Sequence, residues 1–172
     1  MAPSEKCIAP KSWDTSAMQI SMAPGSTKKF RTTAWKAQLT FEMPSKDLHT
    51  FVAGIISAVP QIRSAQLTIY TSVFEPKHLI ALLHMHSLSG DFKRDRCIVA
   101  TGESEASPLL EAGLQGAALD FIFVPDPKPF SIYADHDGYI TFFAQTRSNL
   151  NRVVGPLHQH GFKSVEGWER RF

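Results

Sequence analysis

From Trp35 to Met43 apolar and polar residues alternate. Trp35, Ala37, Leu39, Phe41 and Met43 fall on one side, and Lys36, Gln38, Thr40 and Glu42 on the other. A period of two describes a half-buried strand. The rhythm then changes. In "PSKDLHTFVAGIISAVP" (44–60), Leu48, Phe51, Val52, Ile55, Ile56 and Val59 recur at three- and four-residue steps. That spacing predicts a helix with one apolar face, stopped by Pro60. Ser45 suits its N-cap, and Asp47 suits the positive end of its dipole.

"AQLTIYTSVF" (65–74) is rich in β-branched and aromatic residues and reads as a strand. "EPKHLIALLHMHS" (75–87) reads as a helix entered at Pro76, a buried strand being the alternative. The charged loop "SGDFKRDR" leads to the strand "CIVAT" (97–101). A helix over "SPLLEAGLQGAAL" (107–119) would take Ser107 as cap and Pro108 as first residue. "DFIFV" (120–124) is a strand, and "PDPKP" a rigid turn. "FSIYA" and "YITFFA" then flank a tight Asp137–Gly138 turn. "TRSNLNRVVGPLHQHG" (146–161) carries Leu150, Val153, Val154 and Leu157 at helical spacing. A kink is expected at Pro156, and Gly161 suits the position past its end. "FKSVEGWERRF" closes the chain as a ragged edge strand.

The order β-α-β-α-β-α-β-β-β-α-β predicts an α+β (mixed α/β) fold. Its single mixed sheet has about six strands. Roughly three or four helices cover one or both faces, and the chain ends as a C-terminal β-hairpin–helix–strand. Early strands separated by helices point to partly parallel pairing. Residues 1–30, with three prolines and little periodicity, read as a flexible N-terminal arm, and 31–172 as a single globular domain. "MAPS" at Met1 recurs as "MAPG" at Met22, which raises Met22 as an alternative start, with coincidence as the plain alternative.

Composition changes this picture little. Of 172 residues, 43% are hydrophobic, enough for a sizeable core, and the net charge of +2 gives no general drive toward nucleic acid. Two cysteines provide no disulfide framework, and Cys97 lies in an apolar run that suits a buried thiol. No membrane-length apolar stretch or secretory leader is evident, so a soluble, cytoplasmic protein is expected.

Candidate chemistry sits in four places. Asp135, His136 and Asp137 could hold a metal or pass a proton. A two-residue turn at Asp137–Gly138 would instead place His136 opposite Tyr139 and Asp135 opposite Ile140, splaying the two apart. His84 with His86, and His158 with His160, would share a face on a strand, as zinc ligands need, but not on the helices assigned to them. "QTRSNLNR" places Thr146, Arg147, Ser148, Asn149 and Arg152 at a helix start, where free amides and guanidinium forks suit an anion and where simple capping is the plain alternative. Lys28, Lys29, Arg31 and Lys36 with Phe30 and Trp35 form a basic-aromatic patch of the kind that grips single strands. The glutamates of "TGESEAS" argue against a phosphate loop there, and no nucleotide or hydrolase motif is present. The reading that follows is a small binding domain for a protein partner or an anionic ligand, without catalysis and with no cofactor. A His/Asp acid–base or metal-assisted enzyme and RNA binding through the basic N-terminal segment are the alternatives.

Overall fold

The computed structural model describes residues 19–172. Eight strands form one sheet: β1 (Ile20–Pro24), β2 (Ala37–Glu42), β3 (Ser64–Ser72), β4 (Arg96–Thr101), β5 (Leu119–Asp126), β6 (Ser131–Ala134), β7 (Tyr139–Ala144) and β8 (Ser164–Val165). Five helices accompany them: α1 (Lys28–Thr32), α2 (Leu48–Ser57), α3 (Lys77–Met85), α4 (Glu103–Leu114) and α5 (Arg147–Gln159). The strand order is β1-β4-β3-β5-β6-β7-β2-β8.

The domain is α+β, with more strands and helices than the sequence pattern indicates, and every pairing is antiparallel. The expected parallel pairs fail for a topological reason. β2 and β3 do run the same way, as do β4 and β5, and β7 and β8. Each helical crossover, however, passes over at least one intervening strand, so like-directed strands are never neighbours. The closing β6-β7-α5-β8 unit matches the expected hairpin, helix and strand.

Helices α2 to α5 cover one face of the sheet. Phe51, Val52, Ile55 and Ile56 of α2, Leu79 and Leu83 of α3, Leu109, Leu110 and Leu114 of α4, and Leu150, Val153 and Leu157 of α5 all enter one core. They meet Phe41, Leu67, Ile69, Ile98, Phe121, Phe123, Ile132 and Phe142, the alternate residues of the strands beneath. Residues 75–87 resolve as helix rather than strand, with Pro76 at the N-cap position.

Several element ends differ from the sequence reading. The N-cap of α2 is Asp47, in the left-handed region at φ 60, rather than Ser45. α4 begins at Glu103, well before Ser107, so Pro108 lies inside it. The glutamates Glu103 and Glu105 occupy its first turn, where the helix dipole favours them. Pro156 likewise sits within a continuous α5 instead of breaking it. Gly161, at φ 86, follows that helix as expected. Its amide donates to the His158 carbonyl at 2.9 Å, and the Phe162 amide donates to the Leu157 carbonyl at 3.1 Å. This paired closure needs the left-handed conformation that glycine adopts freely.

The segment read as an arm over residues 1–30 is ordered in its second part. β1 pairs along β4 as the sheet's edge strand, and α1 packs on the sheet. Pro24 is tolerated because it ends a strand at the sheet's edge. Ile20, ahead of Met22, is buried in the main core. Residues 1–18, including Met1 and Cys7, lie outside the described residues. Cys97 is buried and free, and burial pushes its thiol pKa up.

Candidate functional site

Among the described residues, the opposite face of the sheet carries only the short helix α1. Gln38, Thr40, Tyr70, Cys97, Asp120, Ile122, Tyr133, Asp135, Thr141 and Phe143 alternate with the core residues and point to this side. Phe30 from α1 packs here against Ile122, Tyr133 and Phe143, with Trp35 and Tyr70 at the margins. Trp35 therefore leaves the alternation that seemed to align it with Phe41. It precedes β2, and its indole N–H donates to the Phe30 carbonyl at 3.1 Å.

Cations crown these rings. The guanidinium carbons of Arg94 and Arg31 lie 4.5 and 5.6 Å from the centre of Tyr70. Arg170 lies 4.6 Å from the centre of Tyr133, and the Lys128 ammonium 5.4 Å from that of Trp35. Burial, and then the neighbouring Lys29 charge, hold the Lys128 pKa below its ordinary value. The Arg31 Nε is buried without a partner among the described residues.

One acidic residue links the two segments that carry the arginines at Tyr70. Asp95 accepts from the Thr27 amide at 2.8 Å and the Thr27 hydroxyl at 2.9 Å, which ties the start of α1 to the loop carrying Arg94. These hydrogen bonds lower the Asp95 pKa. Its carboxylate is thus held by Thr27.

The chain's last residues cover the middle of this face. The Arg170 amide donates to Gln38 Oε1 at 2.8 Å, and Gln38 Nε2 donates to the Arg170 carbonyl at 3.2 Å. The Arg170 side chain ion-pairs with the buried Asp135 and donates to the Thr141 hydroxyl at 3.3 Å. Phe172 meets Tyr133 and Phe30 at ring distances of 5.0 and 5.5 Å. Trp168 stacks on Tyr139 at 5.2 Å. Burial and the Asp120 charge push the Tyr133 phenol pKa up, so it stays neutral.

The Asp135–Gly138 tip differs from the turn expected. Ala134 pairs with Ile140, so Asp135 faces Tyr139, and His136, Asp137 and Gly138 form a three-residue loop. Gly138 takes φ 86, the left-handed position of a hairpin closed by a bulge. Asp135 and His136 do part, but each finds a distant partner. Asp135 Oδ1 accepts from the Tyr139 amide at 2.9 Å while its other oxygen holds Arg170. His136 Nδ1 lies 2.7 Å from Asp120 Oδ1, which also accepts the His136 amide at 2.9 Å. Asp137 Oδ1 is 3.7 Å from His136 Nε2.

The hydrogen bond to Asp120 raises the His136 pKa above the ordinary 6.5. Folding therefore favours the protonated ring. That contribution to stability is complete below the unfolded value near 6.5 and disappears as pH rises through the higher folded value. A proton-detected titration should place His136 above 6.5 and show a downward move in Asp120→Asn. An unmoved midpoint in that variant would show that Asp120 does not set it.

The other candidates are separated across the fold. His84 is exposed in the last turn of α3, and His86 follows the helix with its Nε2 3.3 Å from Glu105 Oε2. His158 contacts Ser164 Oγ at 3.3 Å from α5, and His160 is that helix's C-cap. Among the described residues there is no cluster of three or more His, Cys, Asp or Glu able to hold a metal. Thr146 caps α5, its hydroxyl accepting from the Asn149 amide at 3.1 Å. Arg147, Ser148 and Arg152 are exposed beside it, and Asn149 is half-buried.

Sequence reasoning passed over Asp120, Tyr70, Arg94, Lys128 and Arg170. Asp120 had one signal, a lone acid heading an apolar strand. Tyr70 had another, a ring on the polar side of "TIYTS". The remaining three are brought in by loops and the chain end. Comparison with protein-family models, with curated proteins and with solved structures found no match. No helix among the described residues is long and apolar enough to cross a membrane.

Proposed function

We propose that this protein is a binding domain for a small anionic ligand carrying a planar ring, without catalysis of its own, and that the ligand seats beside Tyr70. The pairing of Arg31 and Arg94 over one half-buried tyrosine carries this reading. Two guanidinium groups near one ring repel each other, and a phosphate or carboxylate between them would satisfy both through forked hydrogen bonds. The tyrosine ring and the guanidinium planes over it supply faces on which a planar group can stack.

Titration calorimetry with adenosine monophosphate and with inorganic phosphate tests the reading. The nucleotide is expected to bind and phosphate alone to bind more weakly. Arg94→Ala should weaken the nucleotide roughly tenfold, the effect of losing one charge-assisted hydrogen bond. Equal binding by the variant, or none by the parent protein, contradicts the assignment.

A second reading has its own observation. The Asp120 carboxylate on His136 Nδ1 orients the ring as a general base requires. However, His136 bonds only to carboxylates among the described residues, with no hydroxyl or thiol at Nε2. The pair is accounted for by its structural role, holding the β6–β7 tip onto β5.

A further inference from the structure

The richest arrangement runs along α1. Arg31, in the last turn of this short helix, leans over Tyr70. Lys29, on the same helix, lies close enough to Lys128 to lower its pKa, and Lys128 sits over Trp35, just past the helix. Tyr70 and Trp35 are both half-buried. Lys28, Lys29, Arg94 and Lys128 are exposed. Between residues 19 and 41 there is no acidic residue, so the protein's mild net charge conceals a local basic strip. Below it, Phe30 wedges against Phe143 at 5.2 Å and Tyr133 at 6.5 Å, and makes a firm base for α1.

We infer that this strip is a track for single-stranded nucleic acid, with bases stacking on Tyr70 and Trp35 and the intervening phosphates passing along Lys28, Lys29, Arg31, Arg94 and Lys128. The inference rests on the ligand reading above and extends it from one nucleotide to a polymer. Two half-buried rings beside a basic helix, each with cations over it, match a single strand, whose bases are free to stack on rings and guanidinium planes alike. A paired duplex hides its base faces and offers only phosphates and groove edges. Of the carboxylates nearest the track, Asp135 is neutralised by Arg170. Asp95 is hydrogen-bonded by Thr27 and stays ionised, a single negative charge against the five cations of the strip.

Fluorescence anisotropy on the full chain provides the test, using a labelled oligonucleotide of roughly 12 nucleotides, within the usual single-strand footprint. Single-stranded oligothymidine and oligouridine are compared with a duplex, with polyphosphate and with mononucleotide. The single strands are expected to bind most tightly. Raising salt from about 50 to 200 mM should weaken them roughly a hundredfold if five phosphates are neutralised. Tyr70→Leu should cost about tenfold by removing one stacked base while keeping an apolar side chain. Arg94→Gln, on an exposed loop, should reduce the salt slope by about one phosphate without disturbing the fold. Equal binding of polyphosphate, or Tyr70→Leu matching the parent, overturns the track. So does a single strand no tighter than the mononucleotide, which leaves the one-nucleotide reading standing. Absence of binding by mononucleotide and oligonucleotide alike overturns both.

Discussion

Phe142→Ala is expected to lower stability by about 4 kcal/mol, the typical cost of emptying a fully buried phenylalanine site. Phe142 lies in β7 with no solvent exposure. Its ring stands 5.7 Å from Phe41, 6.0 Å from Phe130 and 6.4 Å from Phe51. These contacts join the sheet to α2, so little can collapse into the space left behind. The two parts of the cost are the lost burial and the residual cavity, and edge-to-face contacts between the rings add to the first. Urea unfolding should show a lower midpoint with an unchanged slope. A loss below about 1 kcal/mol would place Phe142 outside the core.

Arg170→Ala is expected to cost about 3 kcal/mol, because it leaves Asp135 buried without its cation. The two side chains are 15% and 9% exposed, so water screens the pair little. The guanidinium also loses the Tyr133 ring and the Thr141 hydroxyl. A double-mutant cycle separates these parts. Combining Arg170→Ala with Asp135→Asn should recover part of the loss, since an amide costs less to bury unpaired than a carboxylate. Additive single effects would mean that the ion pair itself contributes nothing.

These two residues also show what the chain's pattern reveals. Phe142 was legible: it belongs to "YITFFA", and an alternating run beside a turn places every second residue in a core. The same holds for Phe51 and Ile55 on α2, whose helical spacing has one physical interpretation. Arg170 was not legible. It looked like a solvated residue near a chain end, and its partner lies 35 residues away. The Asp120–His136 pair was hidden for the same reason, since its members meet only after β5 and β6 align. Antiparallel order across eight strands is equally non-local, for the sequence marks each strand but not its neighbour.

The hairpin tip illustrates a finer limit. Asp-Gly marks a turn, but it serves two-residue and three-residue loops alike, and one residue of register decides which partner Asp135 faces. The basic-aromatic patch at residues 28–36 was visible in outline. What the fold added was Tyr70, Arg94 and Lys128, which turned a run of letters into a surface. The anion site at Thr146 to Arg152 rested on a helix start, where the structure uses Thr146 as a cap.

Backbone amide and side-chain chemical shifts recorded during titration with adenosine monophosphate bear most directly on where the ligand sits. The proposed site requires the largest changes at Tyr70, Arg31 and Arg94, with Thr27 and Asp95 following because they join the two segments that carry the arginines. Changes centred on Arg147 and Arg152, or on His136 and Asp120, with Tyr70 silent, would contradict it.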